Sequence, residues 1–338
     1  MRRSLVGLGA VVLLIGGSAG IMKHQIDSQV DAKITEAEPQ YKKEAIASYE
    51  DMKEQEKKAK ENALEKEVSD LNLPKSSGIS KGTFASEYGE TWSLYQSKST
   101  EISFLFPANK GGYIAGKGRE AFGITLGKDT DQSLNKKFGA PITSITKNNT
   151  IYQQSKESAQ TARMYVIEGY YVTFFIDTFD SHVIRSVHYV KKEIENKKNG
   201  YFGTPSDTLR EGLEDSMVEL INQSRAENGL SLLEYDKSLN IIARRHSQDM
   251  VDNNFFSHTG SNGSDAKTRM ENGGFEEHLY AENIAFGQYS SMYAHEALLN
   301  SEGHRANILN KKLTHVGAGV SFKSDGTPMY TINFYTPF

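Results

Sequence analysis

Near Ser206 the chain changes its hydrophobic period, and that switch constrains its fold more than any other feature. Before it, apolar residues alternate or run together. Ile102, Phe104 and Phe106 share one face of an extended segment, and Tyr170 to Ile176 is continuously aromatic and β-branched. Val183, Val187 and Tyr189 alternate after Thr178-Phe179-Asp180-Ser181, which reads as a hairpin turn. After Ser206 the period is helical. Leu213, Met217, Leu220 and Ile221 fall on one face, ended by Asn228-Gly229. A second helix, with Asp236 as its expected N-cap, turns Leu239, Ile242, Ala243, His246 and Met250 inward. His246 in that company reads as a buried structural histidine. The end of the chain returns to strands, Val316 to Phe322 and Met329 to Tyr335, around Ser324-Asp325-Gly326-Thr327. The pattern predicts an α+β protein with two modules, and 338 residues accommodate both.

The N-terminus carries a different signal. Met1-Arg2-Arg3 precedes an uncharged stretch from Ser4 to Met22 whose apolar run has the length of a signal-peptide core. Residues 1–22 are therefore expected to be a signal peptide or a membrane anchor. Ser18-Ala19-Gly20 offers a cleavage point while Ile21-Met22 prolong the span, so the sequence leaves cleavage and retention open. Either way the basic end stays inside, and the rest is expected to be extracytoplasmic, outside a bacterial membrane. Residues 23–75 read as a charged helical spacer, with Glu54/Lys58 and Glu56/Lys60 at supporting spacing. Residues 76–192 form the β-rich module and 193–208 the linker to a C-terminal module, 209–338.

Within the β-rich module Gly78-Ile79-Ser80-Lys81-Gly82 echoes Gly123-Ile124-Thr125-Leu126-Gly127. Aromatic-Gly pairs follow both, Tyr88-Gly89 and Phe138-Gly139, so a degenerate duplication of roughly 45 residues is expected. No Gly-Lys-Ser/Thr follows, which excludes a phosphate loop. His182 and His188 read as surface histidines. The net charge of −4, from 39 basic and 43 acidic residues, gives no reason to expect a nucleic-acid partner. There is no cysteine, which removes disulfides and thiolate metal sites together.

The chemistry-bearing residues concentrate in three segments of the C-terminal module: Phe255-Phe256-Ser257-His258-Thr259, Ala281-Glu282-Asn283-Ile284-Ala285 and Ser301-Glu302-Gly303-His304-Arg305-Ala306-Asn307-Ile308-Leu309. The intervals rule out a local helical His-Glu-x-x-His cluster, so only the fold can unite them. Gly303 reads as the stop of the preceding helix, whose face carries Ala294, Ala297 and Leu298.

These segments, in this order, resemble the bacterial branch of the CAP superfamily (cysteine-rich secretory proteins, antigen 5, pathogenesis-related proteins). The β-rich region resembles the small domain that often precedes that module in bacilli. The resemblance implies an α-β-α sandwich at residues 209–338 and a cleft in which His258, Glu282 and His304 converge. Ser301 would lie at its edge, and Asn283, Arg305 and Asn307 would support it. Animal and plant members carry a second glutamate in a Trp-x-x-Glu pattern, whereas Leu298 and Ser301 stand there in this chain.

Two imidazoles and a carboxylate suit zinc or another divalent metal with an open position. A hydrogen-bonded polar cluster suits the same residues. A binding role toward a wall polymer, a lipid or a protein is the primary expectation. A metal-assisted hydrolase using Glu282, His304 and Ser301 is the alternative, without a nucleophile elbow to support it. The aromatic content of the β-rich module points to a binding or positioning role for it.

Overall fold

The computed structural model describes residues 21–25, 78–198 and 200–338. The expected targeting segment and spacer lie outside the described residues, apart from strand β1 (Ile21–Gln25), which pairs antiparallel with β9 (Thr150–Gln154), itself in a hairpin with β8 (Ser144–Lys147). Among the described residues no helix is long and apolar enough to cross a membrane.

The first module is built on seven antiparallel strands: β2 (Ile79–Ala85), β3 (Thr91–Lys98), β4 (Glu101–Leu105), β5 (Gly111–Ala115), β10 (Ala162–Ile167), β11 (Tyr170–Asp177) and β12 (Val183–Lys191). Their order is β10-β11-β12-β5-β4-β3-β2. The short hairpin β6 (Glu120–Ala121) and β7 (Ile124–Thr125) and helix α1 (Asp131–Phe138) cover one face, where Phe122, Leu126 and Leu134 meet Val172, Phe174 and Val187. On the other face Trp92, Phe104, Tyr113 and Phe175 pack with Leu220 and Met292 of the second module. Burial on both faces accounts for the unbroken apolar run at Tyr170 to Ile176.

The second module alternates helices and strands: α4 (Asp207–Glu227), β13 (Glu234–Tyr235), α5 (Leu239–Asp252), α6 (Ala266–Asn272), β14 (Glu277–Phe286), α7 (Ser291–Leu299), α8 (Glu302–Ile308), β15 (His315–Phe322) and β16 (Pro328–Pro337). The intervening helices α2 (Lys156–Thr161) and α3 (Lys192–Lys197) belong to the first module. The sheet order is β13-β15-β16-β14, with β13 parallel to β15 and the others antiparallel. Val316, Ala318, Val320, Ile332 and Phe334 turn one way, onto Leu213, Met217 and Ile221 of α4 and Leu298 of α7. The opposite face receives α5. A Cβ at Gly319 would lie 2.1 Å from the Arg244 nitrogen, so only glycine lets that helix lie so close to the strand. Helices on both faces of a mostly antiparallel sheet, after a β-rich module, make the mixed α+β architecture that the change of period predicted.

The modules share cores and a polar joint. Gly212 in α4 lets β2 approach, since a Cβ there would lie 2.4 Å from the Ala85 carbonyl oxygen. Glu296 of α7 is buried and accepts from Tyr113 Oη at 2.6 Å and Ser186 Oγ at 2.5 Å, with Arg185 Nε at 3.4 Å. The Asn300 side chain, after α7, donates to the Ile176 carbonyl and accepts from Thr178 N and Oγ1.

Several expectations change. The Gly-x-x-x-Gly echo is not a structural repeat. Its first copy enters edge strand β2, while the second lies in the β6–β7 hairpin; Tyr88-Gly89 is a turn, and Phe138-Gly139 ends a helix. The first half of the expected linker is packed structure: Ile194, Glu195 and Lys198 are buried, and Glu195 pairs with Lys147 at 2.7 Å and Lys198 at 3.3 Å. Those charges read as solvated because Lys147 is remote in sequence. His182 is exposed in the hairpin turn as expected, but His188 is only 1% exposed, because β12 is covered on both faces. Asp236 does not cap α5; Ser238 stands at the N-cap, and Asp236 accepts from Ser238 and from Tyr335 Oη. Gly303 lies inside α8 rather than ending α7, whose C-cap is Asn300.

Candidate functional site

Glu282 is on edge strand β14, and its carboxylate is the centre of the cluster. Its side chain is only 3% exposed. His258, in the loop after α5, brings Nδ1 to 3.0 Å from Oε1. Arg269 of α6 donates from one terminal nitrogen to both carboxylate oxygens, at 3.0 and 2.7 Å. The same guanidinium donates to the His258 and Ser264 carbonyls, so it ties the histidine loop to the strand. Asp265 N-caps α6 by accepting from Thr268 N and so fixes where Arg269 projects.

His246 completes the back of the cluster. It is buried on α5, with Nε2 2.9 Å from the Ser257 carbonyl and 3.8 Å from Glu282 Oε1. Burial holds it below its ordinary pKa, with Glu282 pulling the other way, so the neutral ring donating to that carbonyl is the favoured form. It is buried, as its apolar company implied, and it braces the His258 loop.

His304 comes from α8, seated beside the other end of the cluster. Asn283 Nδ2 donates to the His304 carbonyl at 3.0 Å. Asn307 Nδ2 donates to Asn283 Oδ1 at 2.9 Å and to the Glu282 carbonyl at 3.3 Å. The two asparagines therefore stitch α8 to β14. Burial lowers the His304 pKa, and the neighbouring His258 lowers it further by repulsion between the protonated rings. Its Nδ1 is buried and has no hydrogen-bond partner among the described residues. Ser301 occupies the N-cap position of α8 without making a side-chain cap bond.

Arg305 departs from expectation. It turns away from the cleft, donates to Asp177 of the first module from both terminal nitrogens at 3.1–3.2 Å, and lies 5.3 Å from the Phe179 ring. No spacing within the second module could reveal that partner. Arg269 was also missed, because nothing in Lys267-Thr268-Arg269-Met270 marks it as the guanidinium that meets Glu282.

The donor set does not fit a bound divalent metal as it stands. A guanidinium already occupies Glu282 and would repel a second cation, and His258 directs Nδ1 into the same carboxylate. Among the described residues no three histidines or carboxylates converge as metal ligands. What remains for chemistry is His258, whose side chain is 54% exposed, oriented by a carboxylate, with His304 beside it. That arrangement presents imidazole donors and acceptors to a polar ligand.

Residues 218–335 match the family model described as "Cysteine-rich secretory protein family", and residues 69–201 match "CAP-associated N-terminal". The chain is 30% identical over 267 residues to YlbC, an uncharacterized membrane protein of Bacillus subtilis, covering 74% of this chain and 76% of that one. It belongs to the cysteine-rich secretory protein family. This family member carries a CAP-associated N-terminal domain before its CAP domain. YkwD of the same organism is 42% identical over 106 residues, 31% of this chain and 41% of the relative. Among solved structures, an extracellular protein with an SCP domain from Bacillus anthracis shares the fold with TM-score 0.66 at 23% identity, covering 80% of this chain and 99% of that one. A cysteine-rich secretory protein from Staphylococcus aureus gives TM-score 0.58 at 14% identity over 79% and 88%. This member contains no cysteine, and Leu220 and Met292 of its CAP domain pack into the same core as Trp92, Phe104 and Phe175 of the associated domain.

Proposed function

We propose that the chain is an extracytoplasmic binding protein of a bacterial cell envelope whose cleft takes a polar wall component through His258 and His304. The observation that carries this reading is the engagement of Glu282. Its two oxygens accept from Arg269, and one faces His258, so the carboxylate works as an internal anchor for an outward-facing imidazole. Family membership and the relatives described as a membrane protein and an extracellular protein support the location.

Co-sedimentation of the full chain with purified cell-wall sacculi tests it. Binding is expected for the wild type and at least tenfold weaker binding for the paired substitution His258→Ala with His304→Ala. Equal sedimentation of both would sink the reading. A zinc titration run alongside would favour the metal reading if a strong heat of binding vanished with the same pair. Release of soluble wall fragments would favour the hydrolase.

A further inference from the structure

A second recess lies where the two domains meet, away from the cleft. It has a cavity volume of about 40 Å³ and is lined by Tyr152, Gln154, His188 and Glu195 of the first domain and Tyr289 and Tyr293 of the second. At 10–15 Å³ for each water-sized centre, that is room for roughly three or four heavy atoms. A second cavity of about 30 Å³ adjoins it, sharing Gln154, Tyr201 and Tyr293 and adding Ser158 and Thr161.

Two buried side chains at this recess are conspicuously unsatisfied. His188 is 1% exposed, and neither Nδ1 nor Nε2 has a hydrogen-bond partner among the described residues. Gln154 donates from Nε2 to Ser158 Oγ and the Ala162 carbonyl, while its Oε1 has no partner among them. Leaving such atoms buried and unmade costs about 1–3 kcal/mol each, so native folds place a partner there. Burial pushes His188 down to about 3, so the ring is neutral and offers one N–H and one acceptor nitrogen.

Charge narrows the partner. Burial pushes the Glu195 carboxyl up, but Lys198 and Lys147 outweigh it and hold the group ionised. A fixed carboxylate on the wall disfavours an anion. Lys147 is committed to Glu195 and the Gly200 carbonyl, while Lys198 is held by charge alone, 3.3 Å from Glu195 and over the faces of Tyr289 at 4.2 Å and Tyr88 at 4.6 Å. What fits is a neutral group of about four heavy atoms that both donates and accepts, with a small apolar end against tyrosine rings. We propose that this recess is a subsite for the acetamido group of an N-acetylated sugar. The amide carbonyl accepts from the His188 N–H, the amide N–H donates to Gln154 Oε1, and the methyl group packs on the tyrosines. The adjoining cavity, with Ser158 and Thr161 at its wall, takes hydroxyls of the sugar ring.

Saturation-transfer NMR of the full chain with N-acetylglucosamine tests this, with glucosamine, glucose and N-acetyl-alanine amide as parallel probes. The strongest saturation is expected at the acetyl methyl, little with glucosamine or glucose, and at least tenfold weaker binding in Gln154→Leu and in His188→Phe. Thermal melts confirm that each variant is folded, and Gln154→Glu, which places a carboxylate against the recess, provides a second route to the same loss. No methyl saturation, equal saturation by glucose, preference for the acylated amino acid, or unchanged binding in folded variants would overturn the proposal. So would loss of the signal on pairing His258→Ala with His304→Ala, because that result places the sugar in the cleft.

Discussion

Glu282 and Glu296 belong to the same CAP domain, and both are almost fully buried beside an arginine. They differ in where their partners come from. Glu282 is held by His258 and Arg269 of its own domain, and one of those partners is half exposed. Glu296 is held by Tyr113, Arg185 and Ser186, all from the associated domain and all shielded from water. A carboxylate satisfied from within, under an exposed imidazole, has the geometry of a site. A carboxylate satisfied from outside its domain has the geometry of a joint. Burial and charge pairing alone do not separate the two carboxylates; the origin and exposure of their partners do.

The largest expected effect comes from breaking the joint. Glu296→Ala leaves Arg185 and the hydroxyls of Tyr113 and Ser186 facing a hole, and removing one partner from a buried charged set costs about 3–5 kcal/mol. Chemical denaturation should show a fall of that size, with both domains lost in one transition. Two separate transitions would show that the shared core does not couple them.

Next in size is a pH effect from the same boundary. Burial raises Glu87 from 4.5 to about 7, with Lys198 partly offsetting it, and lowers His188 and His295 from 6.5 to about 3. Between pH 4.5 and 6.5 the unfolded chain therefore binds two protons at the histidines that the folded chain does not. The folded chain binds one at Glu87 that the unfolded chain does not. Together these three groups contribute a rise in stability with pH across this window of about 1.4 kcal/mol per unit, for the one proton in excess. Glu87 taken alone opposes the rise, since its contribution is present below pH 4.5 and lost as pH climbs through 7. Glu87→Gln should steepen the wild-type slope by up to about 1.4 kcal/mol per unit. Denaturant midpoints at intervals across the window measure it, and an unchanged slope would mean that Glu87 is not protonated in the fold.

The smallest effect joins the two regions. Asp177→Asn weakens the hold on Arg305, whose neighbour in α8 is His304. A cost of about 1–2 kcal/mol is expected for a partly screened pair. The ring of His304 should also titrate closer to its ordinary value as α8 loosens and water reaches it. Proton NMR of the histidine ring in Asp177→Asn and in the conservative Asp177→Glu would separate the cases. A His304 titration unmoved in both would confine Asp177 to the joint.

The legibility of the molecule follows the range of its interactions. The helices, the terminal hairpin and the three cleft segments were readable because each is set by residues close in sequence, as with Leu213, Met217 and Ile221 on one face of α4. Asn283 and Asn307 lie in those segments, and their side chains join the two elements that carry them. Partners from another element were not readable. Arg269 reaches Glu282 across a turn of loop and strand, Asp177 reaches Arg305 across a domain boundary, and Lys147 makes Glu195 buriable from a distant hairpin. His188 looked solvent-facing because strand alternation assumes one wet face, and β12 has none.

Helix α7 presents Tyr289 from the loop before it, and Met292, Tyr293 and Glu296 from within, to the associated domain. That arrangement limits how the two domains can be inherited. A CAP domain that travelled without its partner would expose an apolar patch flanked by a carboxylate, and selection for solubility would replace those residues together. Positions 113, 185, 186, 292, 293 and 296 should therefore vary as one group in chains that keep both domains. In chains that carry the CAP domain alone, the counterparts of Tyr289 and Tyr293 should have been lost to polar residues, while the counterparts of His258, Glu282 and His304 would be free of that pressure.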